Sequence, residues 1–329
     1  MQNVVLVTGG AGYVGSHTCK ALAQAGYEPV ALDDLSSGHR SAVRWGPFMQ
    51  ACTTDVAALD HAFQRFKPVA VLHFAALLSV GESIADPRIY YENNVVGTLS
   101  LLGVMRDHGV SRMVFSSSCT VYGPARRLPI AEDHPMQPIS PYGSTKLLVE
   151  RMLSDFSAAY NFRTVSLRYF NAAGADPDGD IGEAHQPETH LIPLAIHAVN
   201  DSRYRLSIFG TDYDTPDGTA IRDYVHVTDL ADAHVRALEY LTGGGDSTSL
   251  NLGTERGYSV REVISEVSAV MGHRVKITKM KRRPGDPPNL VSDSSKARRL
   301  LGWRSPLSDL SRIVKTAAAW HSETPIATS

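Results

Sequence analysis

A tyrosine and a lysine stand four residues apart in the stretch SPYGSTK, at Tyr142 and Lys146. On a helix that spacing places both side chains on one face. Pro141 suits a helix start, where its missing N–H costs nothing. Alone, the pair reads as surface decoration. Upstream, however, SSSCTVYG sets three hydroxyls, Ser116 to Ser118, at the end of an apolar run, where open parallel sheets bind their ligands. A hydroxyl, a phenol and an ammonium gathered at such a place make a proton-transfer site. A free phenol, with a pKa of about 10, is a poor base at neutral pH. An adjacent ammonium favours the phenolate, so Lys146 is expected to make Tyr142 more acidic.

A second constellation lies near the N-terminus. Gly9, Gly12 and Gly15 are spaced three apart in TGGAGYVGSH, directly after the apolar run NVVLVT. Glycines at a strand-to-helix turn let the backbone approach a phosphate, and the helix N-terminus offers free N–H groups to a pyrophosphate. The next apolar run ends in Asp33 and Asp34, with Asp33 18 residues beyond Gly15. That is close to the offset of an acid that binds adenosine ribose hydroxyls. A carboxylate there repels a 2′-phosphate, so NAD is favoured over NADP.

These groups need a scaffold. Short apolar runs begin at Asn3, Pro29, Phe48, Val69, Arg112 and Arg163, and helix-like stretches follow near 13–25, 56–66, 88–108 and after Pro141. The alternation implies βαβ units and a doubly wound parallel sheet. After about Gly174 the texture changes to loops rich in Gly, Pro and Asp, with helices expected near 192–199, from His226, and over 309–321. A short strand is expected from Arg205, and TSLNLG, from Thr248, reads as one more sheet strand. The expected division is therefore a dinucleotide domain over 1–175, to which the chain returns around 224–256, and a smaller mixed α/β substrate lobe over 176–329.

Bulk properties exclude other classes. The 329 residues are 43% hydrophobic and 20% charged, with a net charge of −2. That balance makes no case for nucleic acid or an anionic membrane. The scattered Cys19, Cys52 and Cys119 form no disulfide framework, which fits a reducing cytoplasm. MQNVVLVTGG lacks the charged start and long apolar stretch of a signal peptide. The thirteen histidines show no paired metal spacing, and DYDTPDG lacks the acid spacing of a calcium loop; no metal is expected.

Taken together, VTGGAGYVGSHT, HFAALLSVGES, YYENNVVGT, VFSSSCTVYG, SPYGSTK, LRYFNAAGA, FGTDYDTPDGTAIRDYVHV and RRPGDPPN resemble the extended short-chain dehydrogenase/reductase family and, within it, the UDP-glucose 4-epimerases. The resemblance runs almost end to end. It implies a Rossmann domain, bound NAD, and interconversion of UDP-galactose and UDP-glucose by oxidation at sugar carbon 4, rotation of the 4-keto intermediate and re-reduction. It implies that Tyr142 is the general acid and base, Lys146 its partner, and Ser118 a sharer of the sugar proton. Around the cofactor it implies Gly9, Gly12, Tyr13, Val14, Gly15, Asp33, Asp34, Ser36, Ser37, Asp55, Val56, Phe74, Ala75, Ala76, Asn93, Ser116 and Phe170. Around UDP-sugar it implies Ser118, Thr120, Asn171, His190, Leu191, Ser207, Phe209, Arg222, Arg283, Asp286 and Leu290. A homodimer through the helices near 88–108 and 141–160 is also implied.

Some positions depart from the family pattern. Leu78 stands where many members carry a lysine near the cofactor phosphates. His190 replaces an asparagine that often meets the substrate phosphates. Leu290 replaces a tyrosine that narrows the sugar pocket, which leaves UDP-N-acetylhexosamines as alternative substrates; the RRPGD and GTDYDT stretches also resemble the UDP-xylose/UDP-arabinose 4-epimerases, which leaves UDP-pentoses as another. A dehydratase needs an Asp-Glu pair after the serine, and Cys119-Thr120-Val121 supplies neither acid. A non-catalytic NAD-binding regulator is expected to lose the tyrosine or the lysine, and both are intact.

Overall fold

The computed structural model describes residues 3–283 and 286–324. Seven strands form one parallel sheet in the order Thr248–Leu252, Arg163–Tyr169, Arg112–Ser118, Ala70–His73, Val4–Thr8, Glu28–Asp33 and Phe48–Gln50. Strand order reverses beside Val4–Thr8, which pairs with Glu28–Asp33 on one side and Ala70–His73 on the other. Ligands of such sheets sit outside the strand C-termini at that switch point.

The apolar runs are strands because both sheet faces are covered. All five residues of Val4–Thr8 are buried, with Val5 and Val7 facing one core and Val4 and Leu6 the other. The first core includes Leu230, Ala233 and Leu238 of the Val227–Thr242 helix, and the second includes Leu101, Met105, Val149 and Leu153 of the Gly97–Asp107 and Pro141–Tyr160 helices. A third cluster joins the Leu191–Asn200, Val260–Met271 and Leu310–Glu323 helices through Ile196, Val263 and Val314. After leaving the sheet, the chain rejoins its core with Ala297, Leu301 and Trp303.

Several elements differ from expectation. The helix expected near 88–108 is interrupted: Pro87–Tyr90 passes into a wider π-type turn over Tyr91–Val96 before Gly97–Asp107. The wide turn presents Asn94, which donates to the Leu77 carbonyl and accepts from the Leu77 amide at 3.0 and 2.8 Å. Extra strands appear at Asn171–Ala173, Ile221–His226 and Gly257–Ser259, forming a second small sheet with Asn289–Leu290. No helix among the described residues is long and apolar enough to cross a membrane.

Candidate active site

The glycine turn is shaped by backbone crowding on two sides and an opening on the third. Gly9 has φ +72°, and a Cβ there would lie 2.6 Å from the Ala75 amide nitrogen. A Cβ on Gly15 would lie 2.1 Å from the Gly9 carbonyl oxygen, so the helix packs tightly against the strand end. At Gly12 a Cβ would meet only the Gly9 carbonyl, at 3.3 Å, and otherwise open space. Gly12 is also the N-cap of Tyr13–Gln24, with no side chain to satisfy the first amides around Tyr13 and Val14. Open space above uncapped N–H groups is a phosphate cradle.

Asp33 ends its strand 7% exposed. Its Oδ2 accepts from Ala11 N at 3.0 Å and its Oδ1 from Leu35 N at 2.8 Å. Burial raises its carboxyl above the ordinary value, and those two amides oppose the rise. Each oxygen keeps a lone pair for a hydroxyl donor. Asp34 instead accepts from the amide and hydroxyl of Ser36. Ser37 lines a small cavity with Gly12, Tyr13, His39 and His185. Phe74 and Ala75 continue their strand toward the cradle through hydrogen bonds to the Thr8 carbonyl, followed by half-buried Ala76. Asp55 caps the Val56–Phe66 helix by accepting from Ala58 N, and Val56 is exposed. Asn93 borders an open depression with Cys52 and Leu77 and donates to Asn94. Leu78 is exposed.

The tyrosine helix starts where Ser140 accepts from Gly143 N at 3.2 Å, with Pro141 in the first turn. A Cβ on Gly143 would lie 2.8 Å from the Thr120 carbonyl oxygen. The missing side chain lets this helix press against the Ser118 turn, and so brings Tyr142 beside Ser118. Ser118 Oγ accepts from the Thr120 amide and hydroxyl at 3.2 and 3.0 Å. Lys146 Nζ donates to the Ser116 carbonyl at 2.8 Å and lies 5.8 Å from the Tyr142 ring centre. Only one of its protons is spent, so the others are available to a ribose. Ser116 Oγ meets Tyr169 OH at 2.7 Å.

The electrostatics overturn one expectation. The phenol of Tyr142 is raised above its ordinary value: burial dominates, Tyr169 adds to the rise, and the Ser118 hydroxyl opposes it. Lys146 is itself lowered to about 7, because burial disfavours its charge more than Glu150 supports it. Lys146 faces the Ser116 carbonyl and the Phe115 ring, and in the protein alone burial of the phenol outweighs any acidifying effect of Lys146.

Behind the site lies a buried pair that sequence reading missed. Glu150 and Arg168 are 6% and 5% exposed and joined at 2.5 Å. Glu150 also accepts from Ser117 Oγ, and Arg168 donates to Tyr122 OH, which donates to Asn251. Glu150 sits four residues after Lys146, a spacing that signals the same helix face; its arginine is visible only through the sheet. Removing one partner strands a buried charge. Arg168→Met is expected to cost about 3–5 kcal/mol in urea unfolding, and Glu150→Gln with Arg168→Met to recover most of it. A loss below about 1 kcal/mol would show that the pair does not brace the helix.

The substrate-side residues come from the second lobe. Phe170 and Leu290 pack with Cys119 and Val121 beside Ser118. Asn171 opens its strand and donates to the Asp223 carbonyl at 3.2 Å. Arg222 lies opposite Leu290 in register and donates to Asp286. The Arg283 guanidinium stacks 3.9 Å over the Phe209 ring, and Ser207 shares the face of Phe209. His190 occupies the N-cap position of the helix that begins at Leu191 without a side-chain capping bond, and its ring is engaged by Glu183 and Glu188, each at 2.8 Å. Those acids raise its pKa well above the usual value against the effect of burial.

Residues 5–253 match the NAD dependent epimerase/dehydratase family. The chain belongs to that family. A UDP-glucose 4-epimerase of Rhizobium leguminosarum bv. trifolii is 52% identical over 97% of each chain. Among solved structures, the UDP-glucose 4-epimerase from Brucella ovis in complex with NAD superposes with a TM-score of 0.94, at 52% identity, over 96% of this chain and 98% of that one. The enzyme from Stenotrophomonas maltophila with bound NAD and formylated UDP-arabinopyranose gives 0.93 at 41% identity, over 97% and 98%. The open Gly12 cradle, the free lone pairs of Asp33 and the spare protons of Lys146 fit the phosphate and ribose groups of NAD, as family membership requires.

Proposed function

We propose that this protein is a UDP-glucose 4-epimerase that interconverts UDP-galactose and UDP-glucose. The observation that carries the reading is the Tyr142 helix pressed at Gly143 against the Thr120 carbonyl of the turn after Ser118, with the Ser118 hydroxyl acting on the Tyr142 phenol and the buried, non-acidic Cys119 and Val121 following the serine. Such a site exchanges a hydroxyl proton and has no acid placed to expel water. Bound NAD supplies reversible two-electron oxidation at sugar carbon 4. Tyr142 takes the proton of the 4-hydroxyl and later returns it, and Ser118 holds that hydroxyl in line. Lys146 fixes the ribose end from the same helix face.

Across the cleft, Arg222 and Arg283 grip the UDP phosphates and uridine, a task suited to a planar fork. The sugar must turn over between oxidation and reduction, so it meets the apolar walls of Phe170 and Leu290 rather than a hydrogen-bonding cage. Residues 1–175 with the returning 224–256 hold the dinucleotide in this reading, and 176–329 hold the UDP-sugar. The exposed Tyr91, Val96, Leu99 and Tyr160 support a homodimer through the helices that carry them. The same reading places the reaction in galactose metabolism and in the cytoplasm, a compartment that the free Cys19, Cys52 and Cys119 support.

Purified protein with UDP-galactose and no added NAD is expected to reach a mixture with UDP-glucose by NMR. No conversion after NAD addition would sink the hexose reading and favour pentoses. A second reading rests on Leu290, which leaves room for an N-acetyl group. UDP-N-acetylglucosamine is then also a substrate. Leu290→Tyr is expected to cut kcat/KM for it at least tenfold more than for UDP-glucose, in line with a clash of a few heavy atoms. Equal losses on both substrates would remove Leu290 from specificity.

A further inference from the structure

Four side chains of one short segment converge outside the proposed catalytic centre. Glu183, His185, Glu188 and His190 each aim one donor atom into a common space, with all four donors within 4.8 Å of one another. His185 Nδ1 lies 3.0 Å from Glu183 Oε1 and 3.9 Å from Glu188 Oε2, and His190 Nδ1 lies 2.8 Å from both Glu183 Oε1 and Glu188 Oε1. Four ligands at Zn–N and Zn–O distances of about 2.0–2.1 Å define a tetrahedron with edges of about 3.3 Å. The observed separations bracket that edge, so small rotations of the side chains close the shell. A divalent ion that displaces the His190 proton meets two carboxylates and two neutral imidazoles, which balance its charge. Imidazole nitrogens select a first-row transition metal over calcium or magnesium.

The donors are also held from behind. Glu188 Oε1 accepts from the Thr189 and His190 amides, each at 2.7 Å. The carbonyls of Glu183 and Ala184 accept from Trp320 Nε1 at 2.9 Å and His39 Nε2 at 2.6 Å. The bonds to the Glu188 carboxylate are of the kind that orient ligands in metal sites, and the two carbonyl contacts fix the backbone that carries Glu183 and His185. Both glutamates are buried while the His190 and His185 side chains are 41% and 19% exposed, which leaves a path from solvent. The other acidic group, Asp176, Asp178 and Asp180, already surrounds a cation, because Lys20 Nζ reaches them at 2.6, 2.8 and 2.9 Å.

We propose that Glu183, His185, Glu188 and His190 form a divalent transition-metal site, suited to Zn²⁺, that ties the segment entering the Leu191–Asn200 helix to the N-terminus of the first helix. The tie runs through His185, whose ring meets the edge of Tyr13 with centroids 6.1 Å apart. The metal anchors the substrate lobe against the dinucleotide turn and takes no part in the reaction.

The test uses the full chain with its bound nucleotide, freed of metal by chelator and exchanged into clean buffer. Titration with Zn²⁺ followed by calorimetry and elemental analysis is expected to show one ion per chain. Co²⁺ is expected to give the visible absorption of a tetrahedral site, displaced by Zn²⁺. His185→Gln and Glu183→Gln are each expected to weaken binding at least tenfold and abolish the cobalt bands, whereas His197→Gln, outside the cluster, leaves both intact. The wild-type stoichiometry and cobalt spectrum decide the matter even if a variant misfolds. No uptake by the wild-type chain, or an octahedral cobalt spectrum, would overturn the proposal. Equal binding by folded His185→Gln and Glu183→Gln would do the same.

Discussion

Tyr142→Phe is expected to lower kcat for UDP-galactose by 10²- to 10⁴-fold, about the contribution of a positioned general acid–base. The ring keeps its packing against the Ser118 turn, so fold and NAD content should match the wild-type protein. KM should move little, because UDP binding is proposed to rest on Arg222 and Arg283, in the other lobe. The pH profile separates proton transfer from a merely structural role. Burial holds the Tyr142 phenol above its usual pKa, so the base form is scarce at neutral pH and grows with rising pH. Wild-type kcat/KM should therefore climb from pH 6 to 9, and the residual rate of the variant should be flat. A variant within tenfold of wild type, with an unchanged profile, would remove Tyr142 from the chemistry.

Acid should unfold this protein well before its carboxylates are titrated. Four buried histidines are lowered by burial: His17, His226 and His234 to about 4, and His73 to about 3. Burial is the first cause in each, and at His17 and His234 a bond to a backbone carbonyl opposes it. His73 has both ring nitrogens on threonine hydroxyls, at 2.6 and 2.8 Å. His17 and His234 each give one nitrogen to a helix carbonyl and bury the other without a partner. His226 Nδ1 must accept from Thr228 N. The unfolded histidine titrates near 6.5, so between about 6.5 and 4 the unfolded chain binds more protons than the folded one. Stability is fully present above that window and lost as pH falls through it.

Each histidine contributes roughly 3 kcal/mol or more at about 1.4 kcal/mol per pKa unit. Asp229, pushed up to about 6 by burial, works in the opposite sense and offsets about one of the four. The raised His190 is protonated in both states across this window, and its contribution is lost only as pH rises above about 6.5. The remainder rivals the roughly 5–15 kcal/mol of a whole domain. Urea unfolding from pH 7 to 4.5 should show a steep loss of stability, and His73→Gln should reduce its slope by about one proton. Stability unchanged across that range would contradict the burial of these imidazoles in their neutral form.

The parts of this molecule that were legible in the sequence are those set by local backbone rules. Gly9, Gly12 and Gly15 are dictated by the strand-to-helix turn, and the four-residue step from Tyr142 to Lys146 by helix geometry. The sheet strands were readable because burial on both faces leaves unbroken apolar runs. What was hidden depends on contacts distant in the chain. Ile221–His226 carries charge at Arg222 and Asp223 and lacks the unbroken apolar run of a sheet strand, yet it is held by neighbours from three other segments. The interruption over Tyr91–Val96 has no compositional mark; it follows from Asn94 bonding Leu77 and Thr145. In the protein alone burial outweighs the acidity expected of Tyr142, because spacing shows which groups are neighbours but not how deeply they are buried. The Glu183, His185, Glu188, His190 group shows no paired-histidine spacing in the sequence, because its donors alternate acid and imidazole and are gathered by the fold.

The most direct test of the central claim is an NMR time course with UDP-galactose in D₂O, following the sugar carbon-4 position. If the site removes and returns the same carbon-bound hydrogen while Tyr142 moves only the hydroxyl proton, UDP-glucose accumulates with ordinary hydrogen still at carbon 4. Deuterium appearing there at the rate of conversion, or no conversion at all with NAD supplied, would contradict the account.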